Sequence, residues 1–64
     1  MFEFTEEEFK TICKKAMLND ELMKIFEMKI KDYSIVQIAT RMNISESTVN
    51  RRIKTLKKKI MKVI

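Results

Sequence analysis

Apolar residues recur every three or four positions along most of this chain, which is the spacing of one face of an α-helix. The pattern stops and restarts three times, and each restart follows a residue that commonly caps a helix N-terminus. The predicted helices span residues 6–18, 20–31, 35–42 and 46–62. We therefore expect an all-α fold of four helices, the last of which is the longest.

Capping residues mark the predicted start of each helix. Thr5 and Glu8 have capping-box spacing, and Phe4 can pack on Phe9 across the same turn as a hydrophobic staple. The three later starts are marked by Asn19, Ser34 and Ser45. Asp32 is expected to end the second helix and Asn43 the third, because Asn tolerates a left-handed backbone where no glycine is present.

The stripes on the helices predict which faces are buried. The first stripe contains Phe9, Ile12, Cys13, Ala16 and Met17, the second Leu22, Ile25, Phe26 and Ile30, and the third Ile38, Ala39 and Met42. In the fourth helix Val49, Ile53, Leu56, Ile60 and Val63 fall within roughly 80° at about 100° per residue. Its opposite side carries Ser47, Asn50, Arg51, Lys54, Lys58 and Lys62. The fourth helix is thus predicted to be core on one face and basic on the other.

Charge is divided unevenly along the chain. Residues 1–32 carry six basic and eight acidic side chains, a net charge of −2, whereas residues 33–64 carry eight basic side chains and one acidic, a net charge of +7. A chain polarised in this way commonly presents its basic half to a polyanion, most often nucleic acid.

Composition excludes several classes of function. The 64 residues predict a single domain over residues 1–64, and they include no Gly, no Pro, no His and one Cys. These absences argue against phosphate-binding glycine loops, histidine acid/base chemistry, disulfides and structural zinc, so we expect no enzyme activity, no metal and no cofactor. No apolar run reaches the about 20 residues of a membrane span, and the acidic start is unlike a secretory signal. We expect a cytoplasmic protein that is not bound to membranes.

The stretch RMNISESTVNRR has the parts of a helix-turn-helix, in which a short helix and a compact turn set a second helix into the major groove of DNA. Ala39 is the small residue at the crossing, Ile44 the plug after the turn and Val49 the anchor on the core. The segment YSIVQIATRMNISESTVNRRIKTLKKKI resembles the helix-turn-helix of region 4 of bacterial sigma factors and of LuxR-type output domains. Positions matching that pattern are Ser34, Ile38, Ala39, Ile44, Ser45, Thr48 and Val49, while the usual glycines are Asp32 and Asn43 and the usual acidic residue is Gln37.

The resemblance implies double-stranded DNA as the partner, contacted by the outer face of the fourth helix. Residues placed by it toward the bases are Ser45, Glu46, Ser47, Asn50, Arg51 and Lys54. Arg51 has the fork that fits guanine N7 and O6, and Asn50 can pair with adenine. Residues placed toward phosphates are Ser34, Arg41, Thr48, Arg52, Lys57 and Lys58. Ser34 and Ser45 also serve as caps, and the lysines after Leu56 have a simple solvated face as the alternative.

Two apolar residues near the C-terminus, Met61 and Ile64, lie off the buried stripe. Together with Ile60 they predict a seam for a homodimer, for which end fraying is the alternative explanation. Two copies of the protein bound one DNA turn apart would recognise a longer site than one small domain can.

The function predicted from these features is sequence-specific binding of double-stranded DNA by a small transcription regulator, either sigma region 4-like or similar to a phage or mobile-element repressor. The alternative is a protein-interaction module that docks on RNA polymerase or inhibits a partner, using the apolar and acidic first half. A membrane-surface helix is a weaker alternative, because its stripe contains residues that the core needs.

Overall fold

The computed structural model describes residues 2–64, a range that contains four α-helices and no strand. The helices are α1 (Glu6–Lys15), α2 (Asp20–Ile30), α3 (Ile35–Met42) and α4 (Glu46–Met61). The predicted all-α fold with a long last helix is therefore confirmed.

Each helix begins at a side-chain cap. Thr5 Oγ1 accepts the Glu8 amide at 3.1 Å and Glu8 Oε1 accepts the Thr5 amide at 2.8 Å, which completes a capping box. Ser34 and Gln37 form the same reciprocal pair at 3.1 and 2.9 Å. Single caps come from Asn19 and Ser45. These caps satisfy amides that a helix leaves unpaired, and each contributes about 1 kcal/mol of stability.

The first three helices are each followed by a left-handed residue, and none of these is glycine. The φ angles are 52° at Met17, 66° at Asp32 and 58° at Asn43. The next amide in each case donates back across the last turn, to the carbonyls of Cys13, Met28 and Ala39, at 3.2, 3.0 and 3.1 Å. This is the Schellman arrangement. The residues that make these bonds, Leu18, Tyr33 and Ile44, are at least half buried, so each turn sends the chain back toward the core.

The predicted extent of the first helix was wrong at its C-terminal end. We expected a helix to residue 18, but α1 stops at Lys15 because Met17 takes the left-handed conformation. Met17 was also expected on the buried stripe, whereas its side chain points to solvent and is 84% exposed. The ends of α2 and α4 differ from prediction by one residue, which is within ordinary fraying.

The core is centred on the ring of Phe26, which is fully buried. Three aromatic rings surround it, with centroid distances of 6.0 Å for Phe2, 5.6 Å for Phe4 and 5.0 Å for Phe9. Two of these pairs are edge-to-face, a favoured aromatic geometry. The other buried side chains are Ile12, Leu18, Leu22, Ile25, Ile38, Ala39, Val49, Ile53, Leu56 and Ile60.

α4 packs against both α2 and α3. Its side chains at Val49 and Leu56 are completely buried in those contacts. The rotation of α4 about its own axis is therefore fixed by apolar packing, and the residues on its far side are fixed outward.

We predict that Met17→Gly stabilises the protein by about 1 kcal/mol, which raises Tm by about 4–8 °C for a domain of this size. Glycine takes a positive φ without the Cβ clash, and the side chain removed is 84% exposed. Met17→Ala is the matched control because it shortens the side chain but keeps Cβ. Thermal unfolding followed by circular dichroism gives both values, and equal Tm for the two variants would contradict the prediction.

Candidate nucleic-acid interface

The corner between α3 and α4 is three residues long. Asn43 leaves α3 with φ 58° and ψ 44°, the amide of Ile44 returns to the Ala39 carbonyl at 3.1 Å, and Ser45 caps α4. Ala39 is buried in the core at 8% exposure, and α3 packs against α4. The corner has the length and packing of a helix-turn-helix, with α3 as the supporting helix and α4 as the exposed second helix.

The six residues predicted to face DNA bases are all exposed. They are Ser45, Glu46, Ser47, Asn50, Arg51 and Lys54. Of the six predicted at phosphates, Ser34, Arg41, Lys57 and Lys58 are exposed, and Thr48 and Arg52 are half-buried. Basic groups predominate on this surface, since Glu46 is the single acidic residue between positions 33 and 64. The surface is therefore suited to a polyanion.

Three hydroxyls and one guanidinium are joined at the start of α4. The hydroxyls of Ser45 and Thr48 are 2.8 Å apart, and those of Ser45 and Ser47 are 3.1 Å apart. Arg51 Nη2 donates to Thr48 Oγ1 at 3.1 Å. Ser45 Oγ also accepts the Thr48 amide at 3.1 Å as the helix cap. We name these four residues the hydroxyl–arginine network.

Comparison with known protein families decides what this corner belongs to. The family model for sigma-70, region 4, matches residues 13–60 of the 64. The chain belongs to the sigma-70 region 4 family. The resemblance inferred from the sequence is thereby confirmed. No curated protein and no solved structure matches the chain.

Membership in the region 4 family indicates a DNA-binding helix-turn-helix module of transcription, and the family is a non-enzymatic one. Region 4 domains bind DNA and the core of RNA polymerase. Residues 2–64 contain no group of three or more acidic or cysteine side chains placed to hold a metal ion. No helix in that range is long and apolar enough to cross a bilayer.

Cys13 lies outside this surface, half-buried against the core. Burial raises the pKa of the Cys13 thiol, and the carboxylate of Glu27 raises it further. A raised pKa lowers the fraction of reactive thiolate, which agrees with a packing role for this side chain.

Arg52 does not lie free on the surface. Its Nε donates to Glu21 Oε1, which links α4 to the first turn of α2. The two side chains are 41% and 35% exposed, so solvent screens the pair. The sequence placed Arg52 at a phosphate, and the structure gives it a carboxylate partner that a phosphate would have to replace or share. Glu21 and Arg52 are 31 positions apart in the chain, so no local sequence pattern predicts their contact.

Arg41, at the end of α3, stacks on an aromatic ring. Its guanidinium carbon lies 4.8 Å from the centroid of Tyr33, a cation–π distance. Arg41 as a whole is exposed. The contact of Arg41 with a phosphate stays a prediction.

Asn50 and Lys57 face a different direction from Arg51. Together with Ile53 they line one side of a cleft of about 530 Å³, whose other walls come from the N-terminal segment, the end of α2 and the start of α3. Glu3 and Asp32 are among those walls, so acidic groups border this edge of α4. Asn50 therefore lies at the margin of the outer face rather than at its centre.

The predicted dimer seam needs one correction. Ile60 is 2% exposed within a single copy of the chain, because it lies on the stripe that packs into the core. It cannot also cover a partner. Met61 and Ile64 are 63% and 70% exposed, so they are the two predicted seam residues that remain accessible.

We predict that Glu21→Gln strengthens binding to duplex DNA by releasing Arg52 for a phosphate. The slope of log K against log salt should become steeper by about 0.9. Loss of the screened ion pair should lower stability by at most about 1 kcal/mol. Fluorescence titrations at several salt concentrations measure the slope.

Glu27→Gln is the control for this prediction, because it removes the same charge from the same helix at an exposed site where Glu27 pairs with Lys31 at 3.6 Å. If the two variants show the same slope and affinity, Arg52 makes no phosphate contact and its sequence-based role is wrong.

Proposed function

We propose that this protein binds double-stranded DNA in a sequence-specific manner as a small transcription regulator, reading bases with the outer face of α4. The observation that carries the proposal is the orientation of that helix. One face of α4 is locked in the core by Val49, Ile53, Leu56 and Ile60, so its polar face is presented outward next to a three-residue turn. A duplex-DNA partner also implies action in the cytoplasm, at the nucleoid.

Within this proposal, Arg51 reads guanine, and the basic side chains around it bind the phosphate backbone of the DNA. Arg51 is exposed one turn into α4, where the second helix of a helix-turn-helix contacts base edges. Arg41, Lys57 and Lys58 contact phosphates, which position the protein without reading sequence. Arg52 joins them when it leaves Glu21.

A second candidate, docking on RNA polymerase, has its own support in the first half of the molecule. Region 4 domains bind the polymerase core as well as DNA. The first turn of α1 presents Glu6, Glu7 and Glu8 to solvent, on the part of the chain with net negative charge. Retention of polymerase subunits from a nuclease-treated bacterial lysate by the wild type, and their loss when these three glutamates become glutamines, supports this candidate.

We further propose that two copies pair on the DNA through Met61 and Ile64. Two exposed side chains cover far less than the about 800 Å² per partner of a stable interface, so pairing is expected only when adjacent half-sites bring the copies together. Oligomerisation in the absence of DNA is not expected.

Specific binding is tested with a duplex selected from a random-sequence pool, compared with an unrelated duplex of equal length. The three cationic phosphate contacts of the wild type predict a slope of log K against log salt of about −2.7, or roughly a 40-fold loss of affinity between 50 and 200 mM salt. Arg51→Ala should cost about 1–3 kcal/mol on the selected duplex and much less on the unrelated one.

Lys58→Ala is the matched variant on the same face, two turns further along α4. It should weaken binding to both duplexes equally and reduce the magnitude of the slope by about 0.9. Binding that is independent of salt, or absent, would contradict the proposed function.

Pairing on DNA is tested with a duplex that carries two half-sites one helical turn apart. We expect cooperative binding by the wild type and non-cooperative binding after Met61→Lys, since a buried lysine would oppose the contact. Met17→Lys is the control because Met17 is even more exposed but lies at the end of α1. Gel-shift titrations separate one bound copy from two, and cooperativity that survives Met61→Lys would refute the pairing surface.

A further inference from the structure

The hydroxyl–arginine network contains a contact that the roles assigned so far do not use. Thr48 was predicted to contact a phosphate, yet its hydroxyl is engaged on two sides: Ser45 Oγ lies at 2.8 Å and Arg51 Nη2 donates to it at 3.1 Å. Thr48 is half-buried, while Arg51 is exposed. The more buried side chain thus holds the more exposed one.

Holding Arg51 matters because arginine is long and loses rotamer freedom when it binds. Immobilising such a side chain at an interface carries a free-energy cost, which is lower if the free protein already holds it in the bound geometry. Ser45 Oγ, which caps α4, fixes the Thr48 hydroxyl, and Thr48 in turn fixes one nitrogen of Arg51. The position of the guanidinium is in this way tied to the first turn of the helix.

The tie leaves Arg51 able to read a base. A guanidinium has five N–H donors, two on each terminal nitrogen and one on Nε, and the bond to Thr48 uses one of them. Both terminal nitrogens still have a free donor, which is what a two-point contact with guanine N7 and O6 requires. Holding by Thr48 and reading of guanine are therefore compatible.

We propose that Thr48 is a positioning residue for sequence reading: through its hydroxyl it holds the Arg51 guanidinium at the first turn of α4, ready for a guanine. The proposal rests on the proposed function, in which Arg51 reads the base. Thr48 then contributes to the discrimination between duplexes. A phosphate contact by the same hydroxyl would instead contribute equally to every duplex.

The test uses Thr48→Val, which keeps the branched shape but removes the hydroxyl, and Thr48→Ser, which keeps the hydroxyl. Binding is measured on the selected duplex and on an unrelated duplex of equal length. We expect Thr48→Val to weaken binding to the selected duplex about 3- to 10-fold, and binding to the unrelated duplex to stay the same. Thr48→Ser should restore most of the loss.

The matched control is Thr55→Val, because Thr55 lies two turns further along α4, is exposed and makes none of the bonds of the network. It should leave both affinities unchanged. Equal weakening of the two duplexes by Thr48→Val, or no weakening at all, would overturn the positioning role.

The variant Arg51→Ala distinguishes failure of the positioning role of Thr48 from failure of base reading by Arg51. If Arg51→Ala abolishes discrimination and Thr48→Val leaves it intact, the positioning role alone is wrong and base reading by Arg51 stands. If neither variant changes discrimination, base reading by Arg51 fails and the positioning role fails with it.

A second readout needs no DNA and guards against a folding defect in the variant. The heteronuclear NOE of the Arg51 Nε–Hε group reports fast motion of that side chain in the free protein. We expect a high value in the wild type and in Thr48→Ser, and a low one in Thr48→Val, with helical circular dichroism unchanged. An Arg51 equally mobile in all three proteins would also overturn the proposal.

Discussion

The burial of one face of α4 is the constraint on which the rest of the structure depends. Val49 and Leu56 are fully buried and α4 packs against α2 and α3, so α4 can neither turn about its axis nor slide without exposing apolar area. The direction of every polar residue on the opposite face of α4 follows from this packing. The corner at Asn43 sets where α4 begins, and the core sets which way it faces.

The two neighbouring arginines of α4, Arg51 and Arg52, have different partners because of this fixed orientation. Successive residues on a helix point about 100° apart, so Arg51 and Arg52 leave α4 in different directions. Arg51 turns to the hydroxyl of Thr48 on the outer face, and Arg52 turns to the carboxylate of Glu21 on α2. The same side-chain chemistry thus serves an outward surface at one position and an inter-helix link at the next.

The parts of the fold that sequence could predict are those set by contacts within three or four residues. Thr5 with Glu8 and Ser34 with Gln37 form the capping boxes that their spacing indicates, and Asn43 takes the left-handed turn. Met17 was misplaced because methionine has no preference for a positive φ, and the residue that enters the core at this turn is Leu18. Prediction of the interface followed the same division. Exposure of the outer face of α4 follows from helical periodicity, whereas the Glu21–Arg52 pair depends on how two helices pack.

The aromatic cluster around Phe26 includes residues that lie outside the segment matched by the family. The segment recognisable as region 4 begins at residue 13, yet Phe2, Phe4 and Phe9 lie before it and cover the most buried ring of the core. A chain trimmed to the family segment would keep the helix-turn-helix but would lose the three aromatic rings that contact Phe26. The segment that matches the family is therefore shorter than the set of residues that builds the core, and we expect residues 13–60 alone to be less stable and more prone to aggregation than the 64-residue chain.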